Sequence, residues 1–275
     1  MHCIGRLVTE DVVQTLGHGA AAVVYKLVGG KVALKVFKRP NIIGAALKDI
    51  ECNIAHAHVV RVLSHNPADG WLAMEYVEGC SLAQVLERDG ILEGDCLVRS
   101  VFDVLEGLLA FHAHGIPHRD VKPSNVMQER RSGLCKLVDW IGQAEEDASL
   151  KLGKPVGTPV FLAPEVARAP HKHCVASDLW ALGCTCVNLA TGRLPWANSD
   201  AHGRTNEFMA MWRAAHGQAP PHDSSKWSSE LRHFVALCFE PDPQIRVQAR
   251  QLRQKPQTIF HDSSVCLKAS AWRCS

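Results

Sequence analysis

A long hydrophobic run is the first thing missing. No apolar stretch approaches the ~20 residues needed to cross a bilayer, and the opening MHCIGRLVTED lacks the apolar core of a signal peptide. An excess of one charge is missing too: 30 Lys and Arg stand against 28 Asp and Glu, a formal net charge of +2. A nucleic-acid binder would concentrate basic residues far more strongly. No CxxC pair occurs among the 11 cysteines, and Cys184-Thr185-Cys186 sits in an apolar, helix-like run. Reduced core thiols are therefore expected rather than disulfides or zinc ligands. The 15 histidines include three HxH pairs, His56/His58, His112/His114 and His171/His173. On a helix, positions i and i+2 point to different faces, so only a strand or loop would let such a pair chelate. Internal repeats and low-complexity tracts are not seen. These absences predict a soluble, cytoplasmic protein with no membrane insertion and no nucleic-acid partner. At 275 residues and 47% hydrophobic, the chain is ample for one large or two small lobes.

What is present centres on His118-Arg119-Asp120-Val121-Lys122-Pro123-Ser124-Asn125. A helical run from Val101 to Phe111 precedes this polar turn, and a short strand from Leu134 to Val138 follows. Asp120 is suited to accept a proton from a hydroxyl, Lys122 to neutralise a phosphate, and Asn125 to hold a divalent cation. Together they form the apparatus of phosphoryl transfer. The alternative is a polar surface turn that happens to contain these types.

Upstream, Val12 to Leu16 reads as a strand broken by Gly17-His18-Gly19, with Val23 to Lys26 resuming. Glycines at that spacing let the backbone approach a triphosphate, although an ordinary hairpin looks alike. In the strand Lys31 to Phe37, Lys35 is the odd residue, either an edge solubiliser or a phosphate ligand. Ala45 to Ala55 is expected to be helical, with Leu47, Ile50 and Ile54 as its apolar stripe. Trp71 to Met74 reads as a strand leaving into a glycine-bearing connector, as a hinge between lobes would. Leu82 to Leu86, Asp95 to His112 and Ser177 to Ala190 carry helical patterns. Val126-Met127 and Cys135 to Val138 form a hairpin ending in Asp139, a carboxylate placed to bind Mg²⁺ or simply a surface strand end.

The string from His118 to Asn125 resembles the protein kinase catalytic loop HRD-x-K-x-x-N, a family that is itself the general template for phosphoryl transfer. The glycine pattern G-x-G-x-x-G-x-V is met except at its third glycine, where Ala22 stands; its methyl predicts tuned nucleotide affinity. Val32-Ala33-Leu34-Lys35 resembles the VAIK element. Gly157-Thr158-Pro159-Val160-Phe161-Leu162-Ala163-Pro164-Glu165 resembles GTPxFxAPE. Five motifs in order, from Val12 to Lys255, imply an α+β bilobal fold, with a small β-rich N-lobe holding one main helix and a larger, mostly α-helical C-lobe. The implied boundaries are 10–255 for the kinase domain (N-lobe 10–76, C-lobe 78–255), with an extension at 1–9 and a tail at 256–275.

The resemblance also implies ATP and Mg²⁺. Leu16, Gly17, Gly19, Val24, Ala33, Lys35, the gatekeeper Met74, Glu75, Val77 and Met127 would contact ATP, and Asn125 and Asp139 the metal. Asp120, Lys122 and Lys35 would be catalytic, with a helix carboxylate paired to Lys35. Counting forward from Lys35 favours Glu51. Counting back from His56 to Val60, which resembles H-x-N-I-V, places Leu47 there, about one helical turn away; Glu51 is taken as the partner. Where kinases continue Asp-Phe-Gly, this chain has Asp139-Trp140-Ile141-Gly142, one residue longer, with Trp140 or Ile141 in the apolar slot. Thr158 would bond Asp120 and Lys122, and Glu165 would pair with Arg246. Asp178 would tie down the catalytic-loop backbone or cap its helix.

Lys122 and the GTP before APE resemble Ser/Thr kinases, and several stretches resemble the mitogen-activated protein kinase kinase kinase branch. That resemblance implies protein substrates, a downstream kinase among them. Ser81 and Ser124 are neutral where arginine-directed kinases carry acidic residues. Arg119 calls for a facing anion. Ser149, the only hydroxyl residue between Asp139 and Thr158, is the expected phosphosite, unless Glu145, Glu146 and Asp147 supply that charge permanently. Two other readings stand beside the active enzyme: a pseudokinase acting as scaffold, and a kinase of small molecules.

Overall fold

A computed structural model describes residues 12–19, 21–39, 52, 54–140, 157–169, 172–197 and 206–254, the last three without their side chains. Five strands come first among the described residues: β1 (Val12–His18), β2 (Ala22–Leu27) and β3 (Val32–Phe37), each with two valines, then β4 (Val62–Asn66) and β5 (Trp71–Glu75). They form an antiparallel sheet in the order β1-β2-β3-β5-β4. β-Branched side chains fit such a pleated, half-buried surface. The register sets Lys35 opposite Val24 and Leu72, and Ala33 opposite Met74. Directly opposed residues share a face, so Val24, Ala33, Lys35 and Met74 all point to one side of the sheet.

Two expectations are corrected here. β1 does not break at Gly17: the pairing runs on, Gly17 with Val24 and His18 with Val23. A register shift between Thr15 and Gly17 absorbs the irregularity while the ladder continues. The turn closes later, where Gly19 N donates to Ala22 O (2.8 Å). Downstream, Ile54 and Ala55 lie outside any helix, so the expected helix does not reach Ala55. Of its earlier residues only Cys52 is described, in a turn, and Glu51 lies outside the described residues.

A second, three-stranded sheet orders β6 (Gly79–Ser81), β7 (Val126–Glu129) and β8 (Cys135–Leu137). β7 and β8 form the expected hairpin. β6 is too short to show a period, and it lies against β7 because Gly79 has no side chain; a Cβ there would strike Gln128 O.

The remaining elements are helical. α1 (Leu82–Asp89) starts at Ser81, whose hydroxyl accepts from Gln84 N while the Gln84 side chain accepts from Ser81 N. Ser81 is therefore a buried helix cap. α2 (Gly94–His112) buries Leu97, Val101, Val104, Leu105, Leu108 and Phe111 along one face. α3 (Pro164–Arg168) is followed by α4 (Val175–Thr191), which is buried from Ala176 to Leu189 and ends at Gly192 with φ +70°. α5 (Glu207–Ala215), α6 (Ser229–Cys238) and α7 (Pro243–Arg246) are the further α-helices among the described residues. α4 is the axle of this lobe: Trp180 is fully buried edge-on to Phe239, and the thiols of Cys184 and Cys186 are sealed within it. The result is the bilobal α+β arrangement anticipated from the sequence.

Candidate active site

The turn from His118 to Asn125 is held from three sides. Asp178, fully buried in α4, accepts hydrogen bonds from the backbone N–H of His118 and of Arg119 (both 2.8 Å) and from His112 Nε2 (2.7 Å). The capping alternative for Asp178 is overturned, because Cys174 is the cap and pairs reciprocally with Ser177. Burial would push the Asp178 carboxyl up, but the His112 bond and charge, with His118 and the Arg119 N–H, outweigh it and hold the group below the usual carboxylate range. Burial also pushes the His118 imidazole down, so it is neutral. Its Nε2 donates to Val138 O (3.1 Å), and its Nδ1 accepts from Asp120 N (3.4 Å). Arg119 at φ +73° and Asp139 at φ +64° both adopt left-handed backbone, a strain that concentrates at functional positions.

Asp120 lies at the centre of a compact network. Its Oδ1 accepts from Thr158 Oγ1 (2.8 Å), and its Oδ2 from Asn125 Nδ2 (2.9 Å) and Lys122 Nζ (2.6 Å). Lys122 Nζ also donates to Thr158 Oγ1 (2.7 Å). Thr158 can stand there because Gly157 has φ +93°, and a Cβ on it would lie 2.8 Å from Arg119 O. Asn125 in turn accepts at its backbone O from Val138 N (3.0 Å), which places Asp139 beside it.

Asp139 meets Lys35 of β3 in an ion pair. Burial alone would push this carboxyl up; the charge and hydrogen bond of Lys35, with the charge of Lys122, bring it below the usual range. It is thus ionised at neutral pH and, with half of its side-chain surface open, faces the cleft. Trp140 is buried with its ring 5.1 Å from that of Phe111, so the indole fills the apolar slot next to Asp139. Ile141, Glu145, Glu146, Asp147 and Ser149 lie outside the described residues.

The sheet brings the other expected residues toward the same cleft. Met74 and Val77 are buried, Val24 and Met127 partly so, and Leu16 is exposed on β1. A Cβ on Gly17 would meet nothing within 4 Å, leaving backbone open to an approaching group. A cation with two carboxylate-type oxygens from Asp139 and an amide from Asn125 would find the hard donors that Mg²⁺ prefers, and the ammonium of Lys35 suits phosphate. The residues present therefore fit both ATP and Mg²⁺. On the far side, Glu165 and the fully buried Arg246 form a bidentate pair (2.8 and 3.1 Å).

Some participants were not legible from sequence. Glu75 accepts at Oε1 from Lys136 Nζ (2.6 Å) and Arg61 N (3.1 Å), fastening the hinge to β8. Lys38 Nζ donates to Gly19 O (2.9 Å) at the glycine turn. Neither residue carries a pattern that announces its partner, since both contacts depend on strand register.

An ammonium from a β-rich lobe and three oxygen-bearing side chains from a helical lobe, meeting in one cleft, are the arrangement of the protein kinase class. The chain belongs to that family: residues 11–257 match the protein kinase domain. It is 33% identical over 267 residues to a probable serine/threonine-protein kinase of Dictyostelium discoideum, covering 92% of this chain and 40% of that protein. It is 31% identical over 235 residues to mitogen-activated protein kinase kinase kinase A of the same organism, covering 84% and 24%. Cell division control protein 7 of Schizosaccharomyces pombe is 30% identical over 261 residues, covering 90% and 24%. The chain thus spans well under half the length of these relatives.

Proposed function

We propose that this chain transfers the γ-phosphoryl group of ATP to Ser and Thr hydroxyls of protein substrates. The observation that carries the reading is the Lys35–Asp139 ion pair, set against the Asp120–Asn125–Thr158–Lys122 network. Bound Mg²⁺·ATP supplies the transferable phosphoryl group and neutralises its charge. Asp139 and Asn125 would hold the cation, Lys35 the phosphates, and Val24, Ala33, Met74, Val77 and Met127 the adenine, with the backbones of Glu75 and Val77 at its edge. Leu16, Gly17 and Gly19 would cover the nucleotide.

Asp120 orients the incoming hydroxyl and accepts its proton, held in one rotamer by Thr158 and Asn125. Lys122 places a positive charge where negative charge develops. Asp178 fixes the loop, and Glu165–Arg246 fixes the peptide-facing segment. Glu51 is retained as the carboxylate partner of Lys35, Ser149 as a phosphosite facing Arg119, and residues 10–255 as the catalytic unit. Among the described residues no helix is long and apolar enough to cross a membrane, and a cytoplasmic setting with a downstream kinase as substrate belongs to this reading.

Transfer of ³²P to a generic protein substrate tests it, with Asp120→Asn as control. Label transferred by the wild type and lost in the variant is the expected result. Equal inertness of both, with ATP still bound, would support the scaffold reading instead. Labelling of a metabolite alone would support a small-molecule kinase.

A further inference from the structure

The segment that enters β4 is sewn to β8 by the main chain. Leu137 N donates to His58 O and Val60 N to Leu137 O (both 2.9 Å), with Val59 and Leu137 bridged in parallel. His58 sits at this seam, where the similar run H-x-N-I-V has asparagine. Its Nδ1 lies 2.8 Å from Cys135 O. A carbonyl only accepts, so Nδ1 carries the hydrogen. The opposite ring nitrogen, Nε2, faces Asp103 Oδ1 of α2 at 3.7 Å, and Asp103 Oδ2 accepts from Cys135 N (2.9 Å).

These assignments leave an electrostatic conflict. If His58 is neutral with its hydrogen on Nδ1, a lone pair on Nε2 confronts an ionised carboxylate. One added proton between the two groups turns that repulsion into attraction. Both side chains are largely out of water, 14% and 13% exposed, so solvent screens the conflict only weakly. We propose that the His58–Asp103 pair, in contact at 3.7 Å, retains one proton at the lobe junction, which makes His58 a positioning residue for β8 and, through it, for Asp139.

The surroundings agree. Burial is the largest influence on Asp103 and pushes its carboxyl up, with Glu106 adding to it; the Cys135 N–H and the charges of His58 and Arg99 oppose this without reversing it. From its own segment, His58 faces the ring of His56 at 5.6 Å, and His56 Nδ1 accepts from His58 N (3.3 Å). On β8 the Cys135 thiol, beside Asp103, is pushed up to about 12 by burial and is therefore uncharged. A proton held by the folded pair and not by the unfolded chain stabilises the fold at low pH. That contribution is lost as pH rises through the titration of the pair.

The catalytic consequence rests on the phosphotransfer reading; the retained proton does not. Thermal unfolding of the full chain is followed from pH 6 to 9 for wild type, His58→Asn and Asp103→Asn, with the KM for ATP measured alongside and ¹⁵N NMR reporting the His58 tautomer. The wild-type melting temperature should fall by about 2–4 °C relative to either variant across this range, for a change of one kcal/mol in a domain of this size. The wild-type KM should rise over the same range and stay flat in His58→Asn. Should His58→Asn fail to fold, Asp103→Asn carries the same comparison. Parallel melting curves in all three proteins, or a spectrum with the lone pair on Nδ1, would overturn the proposal. An inert wild type that still shows the melting difference would sink only the phosphotransfer reading, and an active wild type with parallel curves only this one.

Discussion

Lys35 on β3 and Asp139 just past β8 are 104 positions apart in the chain and meet as an ion pair across the cleft. The pair joins the two lobes and, in the proposed reading, is where phosphate and metal chemistry would converge. Lys35→Met should lower phosphoryl transfer by about 10²–10³-fold, the usual loss when one fixed electrostatic group is removed. Steady-state transfer assays check this, and circular dichroism should show the fold intact.

Thr158 is held on Asp120 and Lys122 by hydrogen bonds of 2.8 and 2.7 Å. Thr158→Val keeps the shape and deletes the hydroxyl, so transfer should drop about 10–100-fold, the worth of a hydrogen bond to a charged group. Gly157→Ala should act at the same place by another route. Its φ of +93° and the nearby Arg119 carbonyl make the methyl cost about 1–3 kcal/mol in stability, readable by urea titration.

Arg246 is wholly buried and also donates to the carbonyls of Glu240, Ala176 and Pro241. Glu165→Ala leaves that guanidinium without its carboxylate and should destabilise the chain by about 3–5 kcal/mol. Arg246→Lys should be nearly as harmful, because an ammonium cannot reproduce the fork. Equilibrium denaturation separates these outcomes from a neutral surface change.

Asp178 carries a depressed carboxyl in the folded protein. Such a group stabilises above its unfolded value of about 3.9, and that stability is lost as pH falls through the folded value. Wild-type stability should therefore decline on acidification below about pH 4, a slope that Asp178→Asn should flatten. At neutral pH the same variant should cost about 3–5 kcal/mol. Unfolding monitored between pH 2.5 and 7 tests both.

Elements whose signal is local were readable in advance: β3 with its single lysine, the β7–β8 hairpin, and the polar turn around Asp120. The Glu165–Arg246 pairing, 81 positions apart, came from resemblance and not from any local pattern. Two glycines look like a stop for β1, whereas a register shift lets the ladder pass through Gly17 as far as His18. Ser81 stands out in the sequence only for its neutrality, and nothing local announces that its hydroxyl caps α1. His58, Lys136 and Lys38 were silent for a common reason: their partners are chosen by how strands align, which no short window of sequence contains.

The sealed thiols of α4 and α6 have a practical consequence. Cys184 and Cys186 are fully buried, with burial pushing both thiols far up, and Cys238 beside them behaves alike. Alkylating reagents attack the thiolate, so these three sulfurs react only after the large lobe has come apart. Their modification rate, followed by mass spectrometry, is a built-in clock for that event, while surface-lying Cys52 and Cys96 set its zero.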